Sequence, residues 1–497
     1  MSEDAAPYAA VDLGAGSGRV FLGRFADDGP WLEQIARFRY PPRVSQGRLR
    51  WDFAAIIGEI RNGLAAAASR AGVLGHPIGS LGIDSWGVDY GLVDSGGHLL
   101  QDPICYRDDA LAGSMEKAFA RVPRAEIFAR TGIQLLSINT LFQLVVHAET
   151  GLPAGASRLL MIPDLVTLAL TGRVLNEFTN ASTSQMLSIT TGTWDRDLLG
   201  RLGLPADLCG DIVHAGEAVG PVTEQGGVHG VAGVPVVAVA THDTGSAVAG
   251  APIEDGWAYI SSGTWSLVGT ELSRSLVNER VAALNFTNEG GAYGTTRFLR
   301  NVMGLWILES CRAEWATSGL DVTYAHLLED VAAIQGPRAV VFPDDPRFLH
   351  PPSMIDALAA QLRETGQQPP RSPPALARIV LDSLALRYAS IIGSIPALTG
   401  QSLRGVRVVG GGSQNAYLNQ ATATTTGLPV VAGPVEATVL GNVLVQGIAR
   451  GRFGSLADAR RYAAAHLDAP QMLPRPTPDW REASDRYADI EGRFANR

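Results

Sequence analysis

Apolar and polar positions alternate along this chain in a recurring way. Short runs that are apolar throughout stop abruptly in polar or glycine-rich tips, and longer stretches at helical spacing separate them. Val236 to Ala240 is the clearest such run. Its lack of alternation predicts a strand covered on both faces. Thr241, His242, Asp243 and Thr244 follow at once, then Gly245 and the small residues Ser246 to Gly250, which predict a close-packed helix. Ligands in open α/β sheets bind where strands end in this way. Asp243 is therefore a candidate base or metal ligand, with N-capping of the helix as an equal competitor.

The same reading applies elsewhere. Tyr8 to Val11 and Val20 to Phe25 predict two strands joined by Asp12-Leu-Gly-Ala-Gly-Ser-Gly-Arg19, a turn whose backbone N–H groups can approach an anion. The residues after it continue as strand, so neither a Rossmann nor a Walker loop fits. A second copy occurs half a chain later. Tyr259-Ile-Ser-Ser-Gly-Thr-Trp-Ser-Leu-Val268 overlays Ala10–Arg19 without a gap, with Ile260 on Val11, Gly263 on Gly14 and Ser266 on Ser17. Repeated units in two halves predict two related domains, each offering a hairpin to one phosphate chain.

Ile78 to Asp84 and Val88 to Val93 predict further strands around Ser85-Trp86-Gly87. Trp86, with Asp84 and Asp89 beside it, could present a platform and hydroxyl acceptors to a sugar, although a tryptophan at a strand end is more often core. Helices are expected near 110–121, over 124–150 with a break at Thr131-Gly132, and over Leu159 to Gly172. The polar stretch Asn176 to Gln185 reads as a solvated loop on its own. In the second half, Asn285 to Gly294 predicts a hairpin, Arg300 to Glu309 a helix start, 365–374 an exposed loop and Ala375 to Ile395 a long helix. Val406-Arg-Val-Val-Gly-Gly-Gly-Ser-Gln-Asn415 reads as strand, turn and helix start, a place suited to a nucleotide. Gly433 to Gly441 leads into one more helix, and 455–497 reads as a helical tail. The predicted division is 4–248, 249–455 and 456–497.

Composition narrows the class. At 497 residues the chain exceeds one ordinary core. With 46% hydrophobic and 18% charged residues it has the make-up of a globular protein, and a net charge of −9 argues against nucleic acid or an anionic membrane as partner. Cys105, Cys209 and Cys311 show no metal-ligand spacing, and an odd, sparse set fits a reduced cytoplasm. The acidic N-terminus lacks the build of a signal peptide.

Taken together, Asp12–Arg19, Gly82-Ile-Asp-Ser-Trp-Gly-Val-Asp89, Tyr106-Arg-Asp108, Thr131-Gly-Ile-Gln134 and Asn139-Thr-Leu-Phe-Gln-Leu144 form an ordered series. It continues through Thr179–Gln185, Thr241–Thr244, Ser261–Ser266, Thr287-Asn-Glu-Gly-Gly291, Asn301–Trp306, Val409–Gly412 and Gly433–Ala437. This series resembles the FGGY carbohydrate kinases. The resemblance implies an α/β fold of two actin-like, ribonuclease-H-like ATPase domains with a cleft between them. It implies transfer of the γ-phosphoryl of ATP to O1 of a ketose, L-rhamnulose first, with L-fuculose, xylulose or a polyol as alternatives. By the same resemblance Asp243 is the general base. Gly87, His242, Asp243, Thr244 and Asn301 face the sugar. Ala15, Gly16, Ser17, Gly18, Arg19, Thr264, Glu309, Gly411 and Gly412 face the nucleotide, and Asp12 holds Mg²⁺ through water.

Two positions depart from the family pattern. Gly16 stands where a serine is common, and Glu309 replaces a glutamine; a carboxylate cannot donate as an amide does. A non-enzymatic ATP switch of the actin or heat-shock type would share both hairpins but would need no base at Asp243. A non-catalytic sugar sensor would not keep every catalytic position filled. Oligomeric state is not legible in the sequence.

Overall fold

The computed structural model describes residues 6–320, 322–467 and 469–495. The chain forms two compact units that are not its consecutive halves. The first takes the described residues up to Pro252, then Glu271–Phe298 and Ala437–Leu467. The second takes Ile253–Thr270, Leu299–Glu436 and the described residues after 468. Residues 437–467, expected in the second domain and the tail, thus belong to the first unit.

The first unit is built on a six-stranded mixed sheet. Its order is Ala218–Pro221, Pro235–Val237, Ser80–Ser85, Tyr8–Gly14, Ser17–Ala26 and Gly29–Arg39. Tyr8–Gly14 runs parallel to Ser80–Ser85, placing Asp12 beside Asp84, and antiparallel to Ser17–Ala26, placing Asp12 across from Arg19. The apolar run at 236–240 contributes a short strand, Pro235–Val237, and its buried continuation Ala238–Ala240 carries the chain to the polar tip. The helix Phe53–Val73 covers one face. Asp52 caps it by accepting from the Ala55 N–H, and Ile56, Ile60, Leu64, Ala67 and Ala71 fall at helical spacing and are buried.

The helix Ala437–Ala449 joins this unit because it is apolar nearly all round. Val439, Leu440, Val443 and Leu444 pack with Tyr8, Ala10, Phe21 and Phe25 of the sheet. Glycine lets it approach the helix Asp243–Gly250 backbone to backbone. A Cβ at Gly441 would lie 1.8 Å from the Ser246 carbonyl oxygen. Only a residue without a side chain fits there.

In the second unit the strands run in the order Ser266–Leu272, Trp257–Ser262, Gly405–Val409, Val430–Ala432 and Gln471–Met472. Trp257–Ser262 is antiparallel to the strand that follows it and parallel to Gly405–Val409. The long helix Pro373–Thr399 and the helix Ala416–Thr426 belong to this unit.

Several expectations change. Arg300–Val302 is the end of a strand, Thr296–Val302, and the helix starts only at Trp306. The break expected at Thr131-Gly132 is present, and it divides 124–150 into two helices, Arg124–Thr131 and Thr140–Thr150. Residues 455–497 are not one helical tail: Leu456–His466 lies in the first unit, while Gln471–Met472 and Pro478–Phe494 lie in the second. No helix of the described residues is long and apolar enough to cross a membrane. Cys105, Cys209 and Cys311 are buried free thiols.

Candidate active site

The helix that follows the 236–240 run begins at Asp243, with His242 as its N-cap residue. The cap makes no side-chain hydrogen bond. Asp243 instead turns Oδ1 back to accept from the Thr244 N–H at 2.5 Å and from the Thr244 hydroxyl at 3.2 Å. Its Oδ2 makes no hydrogen bond among the described residues, and 34% of the side chain is open. Asp243 is thus the first helical residue and not the N-cap, so the capping alternative does not hold, and its second carboxylate oxygen is uncommitted.

Burial, then the nearby charge of Asp12, raises Asp243 to about 7. A group balanced there can hold or release a proton near neutrality. Asp84, wholly buried, is pushed well above the usual carboxylate range by burial and then by the charge of Asp12. Asn442, from the helix Ala437–Ala449, donates to Asp84 Oδ2 at 2.6 Å. Arg19 pairs with Asp12 from across the hairpin. Three carboxylates thus gather at one end of the sheet against the Arg19 guanidinium, a surplus of negative charge that a small hard cation would relieve. No group of three or more His, Cys, Asp or Glu among the described residues is arranged to hold a metal by itself. A cation at Asp12 would draw most of its ligands from water and phosphate.

The first glycine turn closes between Gly14 and Ser17, with Ala15 and Gly16 at its tip and Gly16 at φ 129°. That backbone suits glycine and strains serine, which explains the first departure from the family pattern. Sequence reasoning missed what holds this turn. The Tyr40 hydroxyl lies 2.7 Å from the Gly14 carbonyl oxygen and 2.9 Å from that of Ser17, and the Tyr40 N–H donates to the Gly16 carbonyl at 3.0 Å. Nothing local marks Tyr40, which reaches the turn only through strand pairing.

His242 is buried and kept neutral, its pKa driven down by burial and then by Arg297. Its Nε2 is 3.6 Å from Asp243 Oδ1, and its Nδ1 is 3.7 Å from Glu289, which Arg297 pairs at 3.0 Å. Glu289 and Arg297 were not singled out from sequence. Gly87 lies against this group, since a Cβ there would meet the His242 ring at 3.1 Å and the Thr183 hydroxyl at 3.1 Å. Thr244 is buried beside Asp243.

Trp86 is not a platform. It is buried against Trp51 and Tyr40, and its ring N–H donates to Asp89 at 3.1 Å. Asp89 is equally committed, accepting also from Trp51 at 2.7 Å and Gln143 at 3.1 Å. Packing the indole in an aromatic cluster gains more than leaving it at a strand tip. The stretch Asn176–Gln185 is not a solvated loop either. It forms a short strand, then the helix Phe178–Thr183, and it is almost wholly buried. Glu177 accepts from the N–H and hydroxyl groups of both Thr179 and Thr241, and Asn180 reaches the Thr241 carbonyl at 3.4 Å. Its polarity scaffolds the tip that carries Asp243.

The second unit gathers the remaining positions. Gly263 and Thr264 form the turn of its hairpin, and their carbonyls accept from Leu305 and Trp306 at the start of the helix carrying Glu309. Glu309 pairs with Arg312, at 2.7 Å, and the Arg312 guanidinium lies over Tyr324. The donor absent from a glutamate is thus present next to it. Gly411 is open, whereas Gly412 is pressed so close that a Cβ would fall 2.0 Å from the Ser262 hydroxyl. Asn301 stands in the strand Thr296–Val302.

Comparison with known proteins agrees with this arrangement. The family model for the N-terminal domain of the FGGY carbohydrate kinases matches residues 8–250, and that for the C-terminal domain matches residues 258–450. A rhamnulokinase of Bacteroides thetaiotaomicron is 40% identical over 95% of this chain and 97% of its own length. A rhamnulokinase of Pectobacterium carotovorum subsp. carotovorum is 41% identical over 95% and 94%. In fold, the chain is similar to a xylulose kinase of Lactobacillus acidophilus, with TM-score 0.78 and 15% identity over 99% of this chain and 98% of that one. It is also similar to a glycerol kinase of Plasmodium falciparum, with TM-score 0.77 and 15% identity over 98% of each. With both family models matched in order and curated relatives aligned from end to end, the chain belongs to the FGGY family of carbohydrate kinases.

Proposed function

We propose that this chain transfers the γ-phosphoryl of ATP to O1 of L-rhamnulose, giving L-rhamnulose 1-phosphate and ADP. The observation that carries the reading is the end-to-end likeness, at 40% identity, to proteins named rhamnulokinase. The geometry at Asp243 supplies the chemistry. Its outward Oδ2 takes the proton from the attacking hydroxyl as that oxygen bonds to the γ-phosphorus. The bond from that phosphorus to the bridging oxygen breaks, and ADP leaves. Neutral His242 brings no positive charge against Asp243 that would weaken it as a base, and Gly87, Thr244 and Asn301 complete the sugar set.

Ala15 to Arg19 offer backbone and cationic donors to phosphate, with Thr264, Gly411, Gly412 and Glu309 as the other nucleotide positions. Mg²⁺ bound with ATP would offset phosphate charge, and Asp12 is the residue to hold it through water. We place the enzyme in the cytoplasm, acting on small molecules, without nucleic acid or membrane as partner. ADP release measured with L-rhamnulose, L-fuculose and xylulose tests the reading. L-Rhamnulose should give the highest kcat/KM; activity on L-fuculose with none on L-rhamnulose would overturn it.

A further inference from the structure

Away from the Asp243 tip, the first unit holds a polar cavity of about 90 Å³. Arg48, Arg50, Tyr90, Gln101, Asp102, His147 and Thr150 stand on its walls. At roughly 30 Å³ per water this is room for about three waters. That suits a small ion and not a sugar or a nucleotide.

Two guanidinium groups are held together here. Arg50 is 8% exposed and spends Nη1 on the Asp102 carbonyl at 2.5 Å and Nη2 on Gln101 at 3.2 Å. Its Nε is buried with no hydrogen-bond partner among the described residues. Leaving a charged donor unpaired out of water is costly. Arg48 donates Nε to Asp108 at 2.8 Å and approaches His147 Nε2 with Nη2 at 3.4 Å. Burial and then the charge of Arg48 lower the pKa of Arg50. Burial, Arg48 and Arg50 push His147 down to about 3.

His147 is therefore neutral. The tautomer that accepts at Nε2 carries its proton on Nδ1, which then donates to the Tyr90 oxygen at 2.5 Å. The Tyr90 O–H is left as a further donor. Asp108 offsets Arg48, and Asp102 is the one carboxylate on the wall, its Oδ1 accepting from the Phe53 N–H at 3.2 Å. Two cations on one wall, with a hydroxyl, form the surroundings of an anion.

We propose that this cavity binds a small tetrahedral oxyanion, either inorganic phosphate or the phosphate end of a monoester, between Arg48 and Arg50. The ion would lie against the two guanidinium groups and offset their mutual repulsion. Because Arg48 also holds Asp108, occupancy would stiffen the loop at 102–108.

The test is calorimetric titration of the full chain with inorganic phosphate, with a non-hydrolysable ATP analogue saturating so that the three phosphate positions of the nucleotide site are filled, and with chloride at equal ionic strength as control. One saturable site is expected. Arg48→Gln should weaken it at least about tenfold, the scale on which a charged hydrogen bond counts. Thr150→Glu, an exposed rim position, should abolish it without disturbing the core. Glucose 1-phosphate in the same cell separates the two sources: weaker binding than phosphate assigns the free ion, equal or tighter binding assigns a monoester. No saturable phosphate binding in the wild type, or binding unchanged in both variants, overturns the proposal.

Discussion

The two glycine-rich hairpins share a topology and differ in chemistry. In each, a strand turns back through glycine and hydroxyl residues and also pairs in parallel with a later strand. Yet the gapless overlay of their sequences is not an overlay of their pairing. In the first, Gly14 faces Ser17 across a turn of Ala15 and Gly16; in the second, Ser262 faces Ser266 across Gly263, Thr264 and Trp265. The first carries Asp12 and Arg19 and lies beside Asp84. In the second, Ser261 and Val268 take the corresponding places, and the parallel neighbour ends in Val409 before three glycines. A tyrosine pins each: Tyr40 on Gly14 and Ser17, and Tyr388 on Ser266 at 2.6 Å. One supersecondary unit thus occurs twice, with carboxylates and an arginine gathered at the first copy and closely packed glycine backbone at the second.

The largest effect should come from the charged side. Asp243→Asn should lower kcat by roughly 10²–10⁴-fold, the usual contribution of a general base, while calorimetry still shows ATP and sugar binding. Near-normal turnover would remove Asp243 as base. Its pH dependence has a fixed sign. The base works ionised, and its pKa is held up to about 7, so single-turnover rates should fall as pH drops through the neutral range; a profile flat from acid to neutral pH would contradict this.

Gly412→Ala probes the second hairpin by contact. Overpacking there should cost about 1–3 kcal/mol in thermal unfolding and raise KM for ATP more than KM for sugar. Equal rises in both would show a general disturbance.

Next come the two pins. Tyr40→Phe and Tyr388→Phe should each lose about 1 kcal/mol, the worth of an ordinary hydrogen bond. If the hairpins divide the work as described, Tyr40→Phe should also reduce kcat, because its turn stands beside Asp12. Tyr388→Phe should act on nucleotide KM alone, and an identical kinetic signature would erase the distinction. Smallest of all, Glu309→Gln should leave stability within about 0.5 kcal/mol, as exposed substitutions do. With Arg312 already supplying donors, ATP affinity should hardly change; a large gain would show that the glutamate itself limits binding.

Much of the site was legible because its elements are local. An apolar run followed by a polar tip marks a buried strand end, and it placed Asp243 correctly before any contact was known. Where the reading was divided or failed, one residue type served two environments. Trp86 and Asp89 have the composition of a sugar wall, but the aromatic cluster with Trp51 and Tyr40 makes Trp86 the core residue that a strand-end tryptophan more often is. Asn176 to Gln185 has the polarity of a surface loop, but its hydrogen bonds are spent inward on Glu177 and the Thr241 backbone. Polarity does not say which side of a residue water is on.

The sequence by itself determined the strand–turn–strand repeats, the aspartate at the end of a buried apolar run and the family, since each depends on residues adjacent in the chain or on an ordered series of motifs. Tertiary structure alone decided that residues 437–449 return to the first unit, where Gly441 allows a close helix crossing and Asn442 reaches Asp84. It alone brought Tyr40 to the first turn and Arg297 to Glu289 behind His242. These partners lie far apart in the chain or meet only through strand pairing. Burial and hydrogen-bond completion selected them, and neither leaves a periodic trace in sequence.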